Sequence, residues 1–340
     1  MQNPLFTNDN SLRISIMNKL LKIGTRESQL AVWQATLVQE QLQQRGVKSE
    51  IVFIKSDGDI DLVTPLYELG VQGIFTKTLD AALLGNRIDI AVHSMKDVPT
   101  FLAKGIIQAA VLPRASYRDL LVYKGNEEEL FYQLGFINGE WSMINGQTVP
   151  NSYLNIATSS IRRKAQWLNR YPEHSIDNLR GNVNTRLRKV AESEWNGAIF
   201  AAAGLERIGL RPEKSIELNW MLPAPAQGAI MIVCRENDPS SFESCHLLNE
   251  VRTALCTKIE RDFLRTLLGG CATPISALAE ITEDRVVFKG NILSIDGKEK
   301  IETAITKPVT LSEDLGITVG KQLLEMGADK IVTDIRNAGA

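Results

Sequence analysis

Apolar and polar positions alternate along the first half of the chain with the periods of short strands and amphipathic helices. β-Branched and aromatic residues dominate runs such as residues 49–55, which indicates strands. Apolar residues at helical spacing over 27–45 indicate a helix, and Gly46 follows as a typical helix end. The predicted elements are strands at 22–25, 49–55, 88–95 and 106–112 and helices at 27–45 and 74–86, with Leu30, Trp33, Leu37 and Leu42 on the apolar side of the first helix. This alternation predicts a mostly parallel, doubly wound sheet.

A second alternating unit begins after residues 113–118, and the final part of the chain follows a different pattern. Two prolines in residues 221–227 indicate a hinge, and the strand at 229–235 is a candidate to return to the first sheet. In the final part, strands grouped between helices indicate a small α+β domain with an antiparallel sheet. The predicted elements are strands at 156–158, 198–202, 229–235, 277–280, 286–293 and 301–306 and helices at 160–170, 183–194, 246–268 and 312–325.

These patterns divide the chain into two lobes and a smaller domain. The expected fold class is α/β, with two doubly wound lobes followed by a small C-terminal α+β domain. We expect domain 1 at 18–114 with 225–243, domain 2 at 115–224, domain 3 at 244–340, and a polar N-terminal extension at 1–17.

Composition and charge narrow the classes of function. The chain has 340 residues, of which 44% are hydrophobic and 23% charged, and its formal net charge is −2. These ordinary values exclude a disordered or collagen-like protein. No apolar run reaches the roughly 20 residues of a membrane helix, and the opening residues lack a secretion-signal pattern, so we expect no membrane partner. An acidic chain whose basic stretch has few aromatics disfavours nucleic acid as a partner.

The cysteines and histidines show neither disulfide-scaffold nor metal-ligand spacing. The four cysteines include no CxxC pair, and the three histidines are scattered. Reduced thiols in a cytoplasmic protein are the simplest interpretation, and no metal is expected.

Arginine density is the clearest local signal. Eight cations fall between Ser159 and Lys189, opposed by Glu173 and Asp177 alone. A charged helix exterior would explain such a cluster without any ligand. However, the hydroxyls of residues 158–160 precede Arg162, so that strand-end hydroxyls, a helix N-terminus and guanidinium groups converge. This combination suits carboxylate or phosphate oxygens, and arginine in preference to lysine suits two-pronged carboxylate binding.

The segment from His93 to Pro99 is the second signal. Its polar residues lie where a buried strand ends, which is where open α/β sheets bind their ligands. An isolated Lys-Asp pair is usually a surface ion pair. At a strand end, Asp97 is a candidate for acid–base work or for stabilising a cation.

Gly269, Gly270 and Cys271 follow a long predicted helix and form the third signal. A buried structural thiol beyond a glycine cap is the simpler interpretation. Because a helix C-terminus disfavours a thiolate, Cys271 is not placed as a turnover nucleophile, although it could be a permanent attachment point.

Seven blocks in order resemble the porphobilinogen deaminase, or hydroxymethylbilane synthase, family. They cover nearly the whole chain from about residue 20 and read GTRESQLAVWQ, IDIAVHSMKDVPT, ATSSIRRKAQ, LRGNVNTRL, AAAGLERIGL, AQGAI and LGGCATPIS. The resemblance implies two lobes of the periplasmic-binding-protein type and, as cofactor, a dipyrromethane attached through a thioether to Cys271.

The resemblance also implies roles for other residues. Asp97 matches the catalytic aspartate. The matches to cofactor-binding residues are Ser94, Lys96, Ser159, Ser160, Arg162, Arg163, Arg180 and Arg186. The matches to substrate-binding residues are Arg26, Ser28, Arg180, Arg186 and Arg207. Four positions depart from the family pattern, namely Gln29, Gln72, Thr78 and Ala226.

The implied activity is a stepwise condensation of four porphobilinogen molecules onto the bound dipyrromethane. Each step loses ammonia, and hydrolysis finally releases the linear tetrapyrrole hydroxymethylbilane. Such a transferase would be a cytoplasmic monomer with a small-molecule substrate. A non-catalytic bilobed anion-binding protein is the alternative, and it would need neither Cys271 nor Asp97.

Overall fold

The computed structural model describes residues 20–55, 76–137, 139–141, 153–267 and 273–338. The strands in chain order are β1 (Leu21–Thr25), β2 (Ser49–Phe53), β3 (Ile90–Ser94), β4 (Ile106–Val111), β5 (Asp119–Tyr123), β6 (Phe136–Ile137), β7 (Glu140–Trp141), β8 (Asn155–Ala157), β9 (Ser175–Asp177), β10 (Gly197–Ala201), β11 (Ser215–Glu217), β12 (Ile230–Arg235), β13 (Ile275–Thr282), β14 (Arg285–Leu293) and β15 (Lys300–Pro308). The helices are α1 (Gln29–Gln44), α2 (Lys77–Leu84), α3 (Glu127–Leu134), α4 (Ile161–Arg170), α5 (Val183–Glu192), α6 (Ala202–Glu206), α7 (Pro239–His246), α8 (Val251–Thr266), α9 (Leu315–Leu323) and α10 (Asp329–Ala338).

Two five-stranded sheets and a three-stranded sheet organise the three parts of the chain. The first sheet has the order β2-β1-β3-β12-β4, and the second has the order β11-β5-β10-β8-β9. In each, one strand runs against the others: β12 in the first and β5 in the second. Each reversed strand is the one that enters directly from the other lobe. The third sheet, β13-β14-β15, is antiparallel throughout.

These sheets confirm the predicted α/β class and the small C-terminal domain with a sheet of its own. The strand predicted at 229–235 does return to the first sheet, as β12 beside β3. Buried apolar clusters cover both faces of the first sheet, one beneath α1 and the other beneath α2. Among the described helices, none is both long and apolar enough to cross a membrane.

The predicted start of one helix was wrong, and of the residues predicted on the apolar side of α1, Leu42 is fully buried while Leu30, Trp33 and Leu37 are partly buried. The helix predicted over 246–268 begins later, at Val251 of α8, where Glu250 caps it by accepting from the backbone N–H groups of Arg252 and Thr253 at 2.9 and 2.7 Å. The residues before it belong to the separate helix α7, which ends at His246. The buried side of α1 is formed by Ala31, Gln34, Ala35, Val38 and Leu42. The small alanines pack against the sheet, while Trp33 and Leu37 lie beside them, partly buried.

Several elements were not predicted, mostly short strands and helices of the second lobe. They are β5, α3, the β6–β7 hairpin, β9, α6, β11 and, outside that lobe, α7 and α10. Short strands carry too few residues for a period to stand out.

The chain passes between the lobes twice, near Ala115 and near Ala226, and these two segments form the crossover. Two residues of the crossover have positive φ angles. Ala226 has a φ of 61°, a left-handed conformation that L-residues adopt at a cost, and Gly228 has a φ of 87°. A Cβ on Gly228 would lie 2.6 Å from the carbonyl oxygen of Ala115 on the opposite crossover strand. The two crossing segments are therefore packed backbone to backbone.

Glu260 of α8 fastens this crossover to the third domain. The carboxylate is fully buried and forms a two-pronged contact with Arg114, with oxygen–nitrogen distances of 2.6 and 3.1 Å. It also accepts from the backbone N–H groups of Ala226 at 2.6 Å and Ala279 at 2.7 Å. A buried carboxylate with all these donors is well compensated, so one side chain joins the crossover to the third domain.

Candidate active site between the lobes

The segment that carries Asp97 begins where β3 ends. The last residue of the strand, Ser94, accepts a hydrogen bond from the buried amide of Gln34 at 2.8 Å. Met95–Asp97 then form a single 3-10 turn, in which Met95 is buried and the Asp97 side chain is exposed. The buried strand thus places a carboxylate at its carboxyl end, as the sequence predicted.

Lys96 extends from the same turn toward the second lobe. Its ammonium group donates to the side-chain oxygen of Gln227 at 3.2 Å. Burial lowers the pKa of Lys96 to about 8. The negative charges of Asp97 and Asp119 only partly offset this lowering. The positive charges of Arg163 and Arg162 lower the pKa further. The cations of the second lobe therefore lie close enough to this turn to act on its charge.

Arg162 and Arg163 converge on one carboxylate, that of Asp119. Arg162 lies 2.8 Å from one Asp119 oxygen, and two nitrogens of Arg163 donate to the other at 3.1 and 2.8 Å. Arg163 also donates to the carbonyl of Ile199, and Arg162 to that of Leu222. Both predicted cofactor ligands thus have partners within the chain, and Asp119 is the residue that the sequence reasoning missed. An acidic residue that opens the apolar strand β5 was the available signal.

Asp119 is fully buried and still ionised. Burial alone would raise the pKa of its carboxyl, but Arg162, Arg163 and the hydrogen bond from Gln227 outweigh that and lower the pKa to about 2. The Gln227 amide donates to Asp119 at 2.9 Å while its oxygen accepts from Lys96. Gln227 therefore joins the Asp97 turn of the first lobe to the arginine pair of the second.

Arg180, Arg186 and Arg207 form the remaining cationic part of the site. Arg180 is buried, and Arg186 donates to the carbonyl of Gly181 at 2.7 Å. Burial lowers the pKa of Arg186 to about 10, with Arg163 and Arg180 adding to the effect and Asp97 opposing it. Burial also lowers the pKa of Arg207 to about 10. An anion bound here would relieve this crowding of positive charge.

Arg207 and Gln29 mark where the two lobes face each other. The Arg207 guanidinium donates to the carbonyl of Gly228 at 2.6 Å and lies 5.8 Å from the ring centroid of Trp33 on α1. Across the same boundary, Asn184 at the start of α5 donates to Gln29 at the start of α1 at 3.0 Å. Arg26 and Ser28 lie just before α1, and both side chains are partly buried.

Three of the predicted serine ligands, Ser28, Ser159 and Ser160, lie at strand or helix ends, and the last two form hydrogen bonds within the second lobe. Ser159 donates to the carbonyl of Leu179 at 2.7 Å, and Ser160 caps α4 by accepting from the backbone N–H of Arg163 at 3.4 Å. Ser28 begins α1 without a side-chain capping bond. The structure therefore brings these serines to the predicted strand and helix ends.

The donors of this site fit a ligand that carries several carboxylates. In the described part of the chain, Nε of Arg162 is buried without a hydrogen-bond partner, and Arg186 and Arg207 have pKa values depressed by burial. The acetate and propionate groups of a dipyrromethane are anions of the required kind. Cys271, its expected attachment point, lies outside the described residues, as does Gln72. Within the described ranges, no group of three His, Cys, Asp or Glu side chains could hold a metal ion.

The fold and the site define a bilobed α/β protein with a cluster of cationic side chains suited to anions and a carboxylate at a strand end beside it. Residues 21–243 match the family model described as porphobilinogen deaminase, dipyromethane cofactor binding domain, and residues 254–325 match the model for the C-terminal domain of the same family. The chain belongs to the porphobilinogen deaminase family.

Relatives match over nearly their whole length. The porphobilinogen deaminase of Syntrophotalea carbinolica is 40% identical over 316 residues, which cover 92% of this chain and 95% of the relative. The porphobilinogen deaminase of Chlorobium phaeobacteroides strain BS1 is 37% identical over 328 residues, which cover 94% of this chain and 99% of the relative.

Solved structures resemble the chain only loosely. The VFT2 domain of BvgS from Bordetella pertussis has a TM-score of 0.39 at 11% identity, covering 71% of this chain and 91% of that one. The ancestral amino-acid-binding protein AncCDT-1 has a TM-score of 0.33 at 13% identity, and the match covers 70% of this chain and 91% of that one. Neither structure bears on the function of this chain.

Proposed function

We propose that this chain is a hydroxymethylbilane synthase, a transferase that joins four porphobilinogen molecules with loss of ammonia and releases the linear tetrapyrrole by hydrolysis. The observation that carries the proposal is the Asp97 carboxylate at the end of β3, beside Lys96 and facing the guanidinium groups of the second lobe. Family membership supports the same activity, whereas the non-catalytic alternative is not favoured.

The proposed cofactor is a dipyrromethane held on Cys271, as the matched cofactor-binding domain supports. When bound, it supplies the nucleophilic α-carbon of a pyrrole on which the chain grows. Lys96, Ser94, Ser159, Arg162, Arg163, Arg180 and Arg186 are the proposed cofactor-binding residues, and Arg26, Ser28, Arg180, Arg186 and Arg207 the proposed substrate-binding residues. Because Arg162 and Arg163 already contact Asp119, and because burial depresses the pKa values of Arg186 and Arg207, we assign direct carboxylate contacts first to Arg186 and Arg207.

Asp97 is the proposed catalytic residue. Loss of ammonia from porphobilinogen makes the pyrrole electron-poor and builds positive charge at its nitrogen. A carboxylate beside the ring accepts the N–H hydrogen bond and stabilises that charge. The arginines hold the carboxylates of the substrate so that the ring meets Asp97 in one orientation.

The proposal includes the domain limits 18–114 with 225–243, 115–224 and 244–340. It also includes a monomeric state and a cytoplasmic location. Support for a reducing compartment comes from Cys234, Cys245 and Cys256, which are buried free thiols. Burial raises the pKa of Cys234 to about 11 and that of Cys256 to about 12, so both remain protonated and inert.

Intact mass measured beside a bilane assay tests the function. The purified wild type should exceed its sequence mass by two linked pyrrole rings and should form bilane from porphobilinogen. Cys271→Ser should lose both the mass increment and the activity, because the thioether cannot form. The control Cys256→Ser changes a buried thiol in α8 and should keep the increment. A wild type that is active without added mass contradicts the proposal.

A further inference from the structure

We propose that Arg261 of α8 is a positioning residue that holds the Asp97 turn in place for the reaction. The inference rests on the catalytic role proposed for Asp97. It assigns a function to the contact between the C-terminal domain and the first lobe.

Three backbone carbonyls around Asp97 accept hydrogen bonds from the Arg261 guanidinium. One of its nitrogens donates to the carbonyls of Met95 at 3.3 Å and Val98 at 2.9 Å, and the other donates to that of Pro99 at 2.6 Å. These carbonyls lie on both sides of Asp97 in the chain. The planar fork of a guanidinium can hold several acceptors at fixed angles, which a lysine ammonium cannot do as rigidly.

The turn is anchored on its other side by the buried Met95 and Val98 and by the bond from the Met95 N–H to the Ala229 carbonyl at 3.0 Å, and Arg261 restrains its carbonyl side. Among the residues that the structure describes, none hydrogen-bonds to the Asp97 carboxylate, so its position is set by the backbone. Within the described backbone, the carbonyl of Met95 accepts from the N–H of Val98 at 3.2 Å, whereas the carbonyls of Val98 and Pro99 accept from no backbone N–H. Arg261 therefore supplies the donors that the end of this short turn lacks.

A second arginine on the same face of α8 reinforces the contact. Arg265 lies one helical turn beyond Arg261, and its guanidinium carbon is 5.2 Å from the ring centroid of Phe101. Residues four apart project from one side of a helix. The two arginines thus hold the segment 95–101 against α8, the helix that precedes the region containing Cys271. This links the catalytic carboxylate to the helix that leads to the attachment site.

An ordinary packing contact would stabilise the protein without affecting the chemical step, and this is the alternative to be tested. Misplacement of a reacting group by about 1 Å can slow a reaction roughly 100-fold. We therefore expect Arg261→Gln to lower kcat by about 10- to 100-fold with little change in KM and full cofactor loading. Arg261→Lys should retain one carbonyl contact and recover part of that loss.

The experiment uses cofactor-loaded holoenzymes of the wild type, Arg261→Gln, Arg261→Lys and the control Arg252→Gln. Arg252 is on the same helix and donates to the carbonyl of Ile281 at 2.9 Å, within the C-terminal domain. Loading is checked by intact mass, the amides of 95–101 are followed by hydrogen–deuterium exchange, and kcat and KM are measured from bilane formation.

Faster exchange in 95–101 with a lower kcat in Arg261→Gln, partly restored in Arg261→Lys and absent in the control, supports the proposal. Unchanged exchange overturns it, as does a loss of activity that follows loss of cofactor. Faster exchange with a normal kcat, while Asp97→Asn is inactive, also overturns it, because the turn then needs no clamp. Near-normal turnover in Asp97→Asn instead overturns the role proposed for Asp97, and the positioning role falls with it.

Discussion

Asp97 and Asp119 are two carboxylates of the same site in opposite environments. Asp119 is fully buried, in contact with two guanidinium groups and the Gln227 amide. Asp97 is exposed and, within the described residues, accepts no hydrogen bond. A buried carboxylate whose oxygens already bind neighbouring side chains stabilises the fold. An exposed carboxylate without such partners can accept a hydrogen bond from a substrate. This difference favours Asp97 as the reacting group.

Asp97→Asn should yield a folded, cofactor-loaded protein whose turnover falls by at least about 100-fold. The amide keeps the shape of the side chain but carries no negative charge to stabilise a cationic pyrrole. Ammonia release and bilane formation measure the effect in samples whose loading has been confirmed by intact mass. Asp97→Glu keeps the charge at a shifted position and should retain some activity. Near-normal rates in the asparagine variant would transfer the chemical role to another residue.

At the scale of elements, helix α5 separates an arginine of the site from an arginine at the surface. Arg186 is partly buried, bonded to the carbonyl of Gly181 and influenced by the charges of Asp97 and Arg163. Two residues further on, Arg188 is 66% exposed and lies 3.9 Å from Glu192. Because positions two apart project from different sides of a helix, only one of the two arginines faces the crevice.

Arg186→Leu should impair cofactor loading or leave incomplete chains attached to the enzyme, while Arg188→Leu should behave as wild type. Loss of one partner of a desolvated guanidinium–carboxylate contact costs about 2–5 kcal/mol of binding, much of it from the unpaired charge left behind, whereas an exposed pair contributes about 0–1 kcal/mol. Intact-mass analysis after limited addition of porphobilinogen detects both the loading and the stalled species. Equal behaviour of the two variants would mean that Arg186 belongs to a solvated face without a ligand.

At the scale of the whole molecule, the lobes are joined through a buried polar chain from Lys96 through Gln227 to Asp119 and its two arginines. Glu260 provides a second joint, between the crossover and the C-terminal domain. Removing one partner from such a buried network leaves uncompensated charge, which costs more than the loss of an isolated surface pair.

Asp119→Asn should therefore destabilise the protein by about 3–5 kcal/mol at neutral pH, because two buried guanidinium groups lose their counter-charge. The folded pKa of Asp119, about 2, is below its ordinary value of 3.8. Its contribution is thus fully present above about pH 4 and is lost as the pH falls toward 2, amounting to about 2 kcal/mol.

Denaturant unfolding of wild type and variant from pH 7 to pH 2.5 measures this contribution, and the gap between the two stabilities should narrow by about 1–2 kcal/mol at the acid end. The exposed Glu192→Gln is the control and should differ from the wild type by less than about 1 kcal/mol throughout. A constant gap between wild type and Asp119→Asn across this range would show that the charge of Asp119 does not stabilise the fold.

The sequence by itself determined the longer elements, the return of the chain to the first sheet and the family. Strands such as 88–95 and helices such as 160–170 have enough apolar periodicity or clear enough ends to be recognised locally. Asp97 was recognisable for the same reason, since a polar residue just after a buried strand is placed by that strand. The seven blocks resembling the family are likewise a property of the chain alone.

Only the tertiary structure decided how the charged residues are partnered. Asp119 is far from Arg162, Arg163 and Gln227 in sequence, and Arg261 is still further from the carbonyls that it holds; no local period encodes such contacts. The buried side of α1 was also decided by packing, because the neighbouring sheet and not the helix itself selects which residues are covered. Burial and charge pairing depend on residues brought together by the folded chain, and for that reason the same arginines could not be sorted into structural and ligand-facing groups before the fold was known.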